Sequence, residues 1–225
     1  MRTIGIIGGF GPEATAQFYL KLVDAIRRVN HGTQPNIIVR NAAVPRKLEH
    51  ELLINGKMLD GFVPILIRAA KDLEHAGADI IVLPCNTLHI HEKIITSSIS
   101  VSFVSIIKST NEFMMRHRIR RVGFLGSRVT VRNNLFKKQT KDISFITIPA
   151  AMQRKIDRGL DIFVGKQDPT VLREALSKSF VFLEKNNVHD ILLACTDFGS
   201  LCPTNPNIHV HDTLDILVHA TVNML

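Results

Sequence analysis

The sequence predicts an α/β protein built from two pseudo-symmetric, doubly wound domains with parallel sheets and an active site in the cleft between them. Two repeated segments and the order of the elements between them carry this reading. Asp79-Ile-Ile-Val-Leu-Pro-Cys85 is echoed by Asp190-Ile-Leu-Leu-Ala-Cys195, each an aspartate, an apolar run and a cysteine with polar residues behind it. The opening Thr3-Ile-Gly-Ile-Ile-Gly8 returns as Arg121-Val-Gly-Phe-Leu-Gly126. Strand and helix patterns alternate between these landmarks, which favours parallel sheets with right-handed crossovers. A short apolar run bounded by turn residues reads as a buried parallel strand, and its carboxyl end is where open α/β sheets place their binding crevices.

Thr3 to Ile7 is the first expected strand. Gly8-Gly9-Phe10-Gly11-Pro12 then turns the chain: glycine permits the tight turn, Pro12 suits the first helical position, and helical periodicity follows. The free amides of that helix would welcome a carboxylate or phosphate, yet the glycine spacing is not the dinucleotide fingerprint GxGxxG. Asn36 to Ala42 reads as the second strand, residues 43–55 as a loop, and Met58 to His75 as a long amphipathic helix ended by Gly77. After the first cysteine strand, Thr87 to Ser97 is helical, Ser100 to Ser105 a strand, and a helix runs to His117. From Arg120 the second half repeats the order, with a strand over Ile143–Ile148, helices across Met152–Val164 and Pro169–Asn186, and the second cysteine strand. The strand Ile208–His211 and a helix from Asp212 are expected to pack back on the first half. The expected division is therefore 1–98 plus 208–225 against 99–207.

Composition excludes several classes. With 45% hydrophobic and 21% charged residues in 225, the chain has the makeup of an ordinary globular protein, not a disordered one. No apolar run reaches the length of a membrane span and no secretory signal opens the sequence, so a cytoplasmic protein is expected. Three cysteines without a zinc-finger spacing fit free thiols in a reducing compartment. The net charge of +8 is spread over Arg27-Arg28, Arg116 to Arg121 and Lys137-Lys138 with no aromatic residues between them, so a solvated surface is expected and no nucleic-acid partner. Ten histidines raise the question of metal. His209 with His211, and His89 with His91, lack a third or fourth ligand at useful spacing, so no metal is expected.

The chemistry rests on Cys85 and Cys195. Free cysteine is among the most buried residue types, so either alone is an ordinary core residue; Cys202, in Leu-Cys-Pro, has that reading. As a pair at equivalent strand ends the other two suit one task, removing a proton from one face of a carbon and returning one to the other. A reference pKa of about 8.5 lets one thiol ionise with modest help from a helix N-terminus while its partner stays protonated.

Gly8-Gly-Phe-Gly-Pro-Glu-Ala-Thr15, Pro84-Cys-Asn-Thr-Leu-His89, Leu125-Gly-Ser-Arg-Val-Thr130 and Ala194-Cys-Thr-Asp197, in this order, resemble the motifs of the aspartate/glutamate racemase superfamily, on its aspartate racemase side. The resemblance implies a cofactor-independent racemisation of a small anionic amino acid, with Cys85 and Cys195 as the two bases. It implies that Asn86, Thr87 and Thr196 hold the α-carboxylate and amino group, with Thr130 close by, and it admits a homodimer. It places Arg46, Lys47 and Lys166 where the family offers cations to a side-chain carboxylate, and Asp197 and His89 behind the reacting groups.

This sequence also departs from the pattern. Asp197 stands where the aspartate racemases have glutamate and the glutamate racemases histidine, Phe10 replaces a methionine, and Arg46-Lys47 does not reproduce the usual acid-arginine order. Related superfamily reactions, of hydantoin racemase, maleate isomerase or decarboxylase type, stay open beside aspartate or glutamate racemisation. So does a silent binder of an anionic metabolite. Two retained cysteines speak against the decarboxylase, which needs one proton donor.

Overall fold

A computed structural model of the chain describes residues 2–137, 140 and 142–225; Lys138, part of one basic cluster, lies outside the described residues. The first four strands are β1 (Ile4–Gly8), β2 (Ile37–Asn41), β3 (Ile80–Val82) and β4 (Ser102–Val104). They form one sheet in the order β2-β1-β3-β4. The second sheet holds β5 (Arg121–Gly126), β6 (Ser144–Thr147), β7 (Asp190–Ala194) and β8 (His209–Asp212) in the order β6-β5-β7-β8. All pairings are parallel. In both sheets the order reverses between the strand that opens the half and the strand that precedes its cysteine, which is the topological switch point where such sheets bind ligands.

The helices are α1 (Pro12–Val29), α2 (Arg46–His50), α3 (Val63–His75), α4 (Glu92–Thr96), α5 (Ile106–Arg116), α6 (Arg128–Arg132), α7 (Ala150–Lys166), α8 (Thr170–Lys185) and α9 (Thr213–Val222). Alternation along each strand sorts side chains into layers. Ile4, Ile6, Ile80 and Val82 point into a middle core with Phe18 and Leu22 of α1 and Leu214 of α9, and Val122, Phe124 and Leu192 of the second sheet enter the same cluster. Ile7, Ile81 and Leu83 face the opposite way, onto Leu66, Ala70 and Leu73 of α3. In the second half Leu125, Ile191 and Leu193 face Leu160 of α7 and Leu176 and Phe180 of α8. One continuous core thus joins the two sheets and fixes their switch points relative to each other.

Sheet membership differs from the sequence reading at two strands. β4 pairs with β3, Ile80 opposite Ser102, so the first sheet runs past residue 98. β8 pairs with β7, Asp190 opposite His209, so residues 209–212 complete the second sheet instead of rejoining the first. The physical reason is edge satisfaction: each cysteine strand has one open edge, and the next strand in sequence fills it with main-chain hydrogen bonds. α9 packs on α1 and α5 in the middle core.

Two helical readings also change. Residues 46–55, expected as loop, form α2 and a π-helical turn over Glu51–Asn55, because Leu48 and Leu52, four apart, bury the same face. The long helix expected from Met58 is a 3-10 turn over Leu59–Phe62 followed by α3, with Pro64 in the first turn, where its missing N–H costs nothing. Likewise Thr87–His91 is a 3-10 turn that leads into α4.

Candidate active site

Cys85 and Cys195 leave the carboxyl ends of β3 and β7 at the two switch points and meet in one cavity of about 60 Å³. Pro84 and the short bond from the Cys85 amide to Leu83 O, 2.8 Å, turn the first thiol off its strand. Side chains then lace the two cysteine loops together. Thr196 Oγ1 donates to Pro84 O at 3.1 Å, Asn86 Nδ2 donates to Thr213 Oγ1 at 2.8 Å, and Thr213 Oγ1 donates to Leu193 O at 2.8 Å.

That last pair fixes the Asn86 amide. Thr213 spends its one proton on Leu193, so it must accept from Asn86 Nδ2, and Asn86 Oδ1 is left facing away. Asn86 is 2% exposed and its Oδ1 has no hydrogen-bond partner among the described residues. The same holds for Oδ1 of Asp197, which is 7% exposed. Both residues line the cavity, so two buried acceptors there lack a donor.

The first turn supplies the opposite wall. Phe10 lines the cavity, and Gly11, at φ 93° in the left-handed region, lies so near Asp197 that a Cβ would sit 3.1 Å from its Oδ1. Asp197 Oδ2 lies 3.9 Å from Cys195 Sγ. Thr87 forms a buried hydroxyl cluster with Ser127 at 2.8 Å and Thr130 at 3.1 Å. Thr130 therefore stands behind Thr87 instead of lining the cavity, and Ser127, the cap of α6, joins the site unforeseen. His89 accepts at Nε2 from the Ile106 amide, 3.2 Å, and donates from Nδ1 to Cys85 O at 2.7 Å. Burial lowers its pKa to about 4, so it is a neutral brace under the first cysteine loop.

The charge pattern departs from expectation. Burial pushes Cys85 up to about 12, against the pull of the Leu88 amide and in line with the charge of Asp197. Cys195 rises well above the usual thiol value through burial and then Asp197. Asp197 itself is lifted to about 7 by burial and next by the Glu13 carboxylate. Burial outweighs the amides, so neither thiol ionises with the modest help expected for one of them.

The three expected cations are elsewhere. Arg46 of α2 donates to the carboxylate of Asp161 on α7 and, at 2.9 Å, to its main-chain oxygen, while His50 Nδ1 lies 3.0 Å from Asp161 Oδ2. This clasp ties α2 to α7, the elements that carry the pocket-lining Glu49, Leu160 and Val164; Asp161, 15% exposed, offers Arg46 a shielded partner. Lys47 and Lys166 are exposed and do not line the cavity. Among the described residues that line it none is cationic, and the side facing α2 and α7 is apolar, with Leu52, Leu53, Phe62, Leu160 and Val164 beside Glu49.

Comparison with known proteins gives this geometry a context. The sequence pattern of the Asp/Glu/hydantoin racemases matches residues 7–221. The chain belongs to that family. Membership makes it an enzyme of the racemase class. It is 27% identical to the broad-specificity amino-acid racemase RacX of Bacillus subtilis over 98% of this chain and 96% of the relative. Among solved structures it resembles an Asp/Glu racemase homologue of Yersinia pestis (24% identity, TM-score 0.80, 100% and 99% of the two chains). It also resembles an aspartate racemase homologue of Pyrococcus horikoshii (25%, 0.73, 100% and 99%) and a glutamate racemase of Bacillus anthracis (13%, 0.66, 100% and 81%). The shared fold is the pair of four-stranded parallel sheets with flanking helices described above.

Family motifs alone did not point to Glu49, Leu52, Leu53, Phe62, Leu160 or Val164. The Leu48/Leu52 spacing was the one available signal, and Pro45 with Gly56 hid it by making 43–55 read as loop. His209 and His211 flank Asp190, at 3.8 and 2.8 Å, away from the cavity. Among the described residues no helix is long and apolar enough to cross a membrane, and no group of three or more His, Cys, Asp or Glu is placed to hold a metal.

Proposed function

We propose that the protein racemises an amino acid by two-base proton transfer, with Cys85 and Cys195 on opposite faces of the α-carbon and no cofactor. The observation that carries the reading is the convergence of both strand-end thiols on one cavity that also holds two buried acceptors without a donor, Asn86 Oδ1 and Asp197 Oδ1. An α-ammonium supplies the missing protons. Thr196 has committed its hydroxyl proton to Pro84 O, so toward the substrate it too acts as an acceptor. Thr87 and the amides that open the 3-10 turn are left for the α-carboxylate.

In one direction the Cys85 thiolate takes the Cα proton, the electron pair of that C–H bond delocalises into the carboxylate, and the pair returns to Cα to bond the proton that the Cys195 thiol delivers on the other face, leaving Cys195 as thiolate. The thiols finish with exchanged protonation, and the reverse reaction restores them. Both thiols sit high without a cation, so the substrate's own ammonium is the charge that lowers them on binding. The wide substrate range in the name of RacX supports leaving the side chain open at this level.

The test is exchange of the α-proton with solvent deuterium, followed by NMR for both enantiomers of a panel of amino acids. Wild type should exchange and invert at least one, and Cys85→Ala and Cys195→Ala should each stop inversion. Inversion that survives in either variant refutes the two-base scheme. Binding without exchange points to a silent binder, and covalent capture by one cysteine to the maleate isomerase type.

A further inference from the structure

We infer that the site selects amino acids whose side chain is a long apolar stem ending in a positive charge, with Glu49 as the specificity-determining residue; this rests on the racemase reading above. Once the α-carbon lies between the thiols and its polar groups are held by Asn86, Thr87, Thr196 and Asp197, the side chain must enter the remaining part of the cavity. That part is walled by Leu52, Leu53, Phe62, Leu160 and Val164, which accept methylene groups, and carries one charged group, Glu49. A side-chain carboxylate there would be desolvated with no cation to meet it, next to another carboxylate. Arg46, the nearest candidate partner, is committed to Asp161 through both its carboxylate and its main-chain oxygen.

Glu49 has the character of a carboxylate in want of a cation. It is half-buried, and burial, more than any charge, raises its pKa; Arg46 lowers it, while Asp161 and Glu13 raise it further. No hydrogen bond ties its carboxylate to the protein among the described residues. A substrate ammonium or guanidinium at the end of an apolar stem would relieve that repulsion, and burial of the stem adds the usual gain per methylene.

The experiment measures kcat/KM for α-proton exchange with lysine, methionine and glutamate, in wild type, Glu49→Gln and Glu49→Lys. Lysine should be preferred over methionine and methionine over glutamate, each by about tenfold or more, the scale of one charge-assisted hydrogen bond. Glu49→Gln, isosteric and folded by circular dichroism, should cut the lysine-to-methionine ratio about tenfold, chiefly through KM. Glu49→Lys should move the preference toward glutamate. Glutamate turned over as well as lysine by wild type overturns the inference and leaves the racemase standing. An equal loss for lysine and methionine in Glu49→Gln also overturns it, because Glu49 would then act on the α-ammonium. Exchange of no amino acid at all, panel included, fails the racemase reading itself and takes this inference with it.

Discussion

Asp197→Asn separates the chemistry of the site from its cost to the fold. Asp197 is raised from 3.8 to about 7. Below pH 4 the folded and unfolded chains both hold its proton. Between pH 4 and 7 the folded chain keeps a proton that the unfolded chain has released, so stability falls as pH rises, and above 7 the full penalty remains. At 1.36 kcal/mol per unit, that penalty is about 4 kcal/mol. Asparagine has the same shape and no charge to desolvate, so the variant should match wild type near pH 4 and exceed it at pH 8. For a chain of this size the gap at pH 8 corresponds to roughly 8–16 °C in Tm. Asp212, raised to about 6 mainly by burial, titrates in both proteins and cancels in the difference. The assay is thermal unfolding of both proteins at pH 4.5 and 8, paired with α-proton exchange, which the variant should slow. A Tm gap of the same size at both pH values would refute the argument that Asp197 is held against its own desolvation.

Three further perturbations probe the frame of the site. Asp161→Asn removes the clasp between α2 and α7; with Arg46 and His50 both more than two-fifths exposed, the loss should be about 1 kcal/mol, read as an increase in KM of about fivefold with a small drop in Tm. Gly159→Ala should destabilise although alanine is the better helix former. Its Cβ would meet Leu172 Cα at 2.7 Å and N at 2.8 Å, so α8 must shift, and an overpacking cost of about 1–3 kcal/mol exceeds the ~1 kcal/mol of helix propensity gained. A Tm above wild type would refute it. Thr213→Val strands the Asn86 amide and Leu193 O, costing about 1–3 kcal/mol in denaturant unfolding, and frees Asn86 to turn. Exchange rates unchanged from wild type would show that Asn86 orientation does not matter to the reaction.

The strand ends were legible because two constraints coincide there: an apolar run long enough to be buried, and polar residues that appear only where the run stops. Cys85, Asn86, Thr87, Cys195, Thr196 and Asp197 follow directly, and the structure gathers all six around one cavity. What sequence could not show is which long side chains point inward. Arg46, Lys47 and Lys166 lie near the cleft in sequence order, but Arg46 is drawn to Asp161, a residue 115 positions later that no local pattern announces. Sheet membership of β4 and β8 was hidden for a similar reason, since edge pairing is decided by which strand has an open edge. Glu49, Leu52 and Leu53 of the second wall come from a segment whose short helix and π turn are flanked by Pro45 and Gly56, where turn signals outweigh a weak apolar spacing.

The two halves place their thiols at equivalent strand ends, but the surroundings of the two differ. Cys85 meets the amides of Thr87 and Leu88 at the opening of the 3-10 turn, and these favour its thiolate. Cys195 meets the Asp197 carboxylate at 3.9 Å, which favours its thiol. Burial holds both thiols protonated at rest and the Asp197 carboxylate opposes ionisation of either, so on the proposed two-base scheme the bound substrate must set which one becomes the base. Asp197 Oδ2 lies 3.9 Å from the Cys195 thiol, so on that scheme its replacement bears first on the step that Cys195 performs. On this argument Asp197→Asn should slow one direction of racemisation more than the other at low substrate. Equal slowing of both directions would place Asp197 in substrate binding alone.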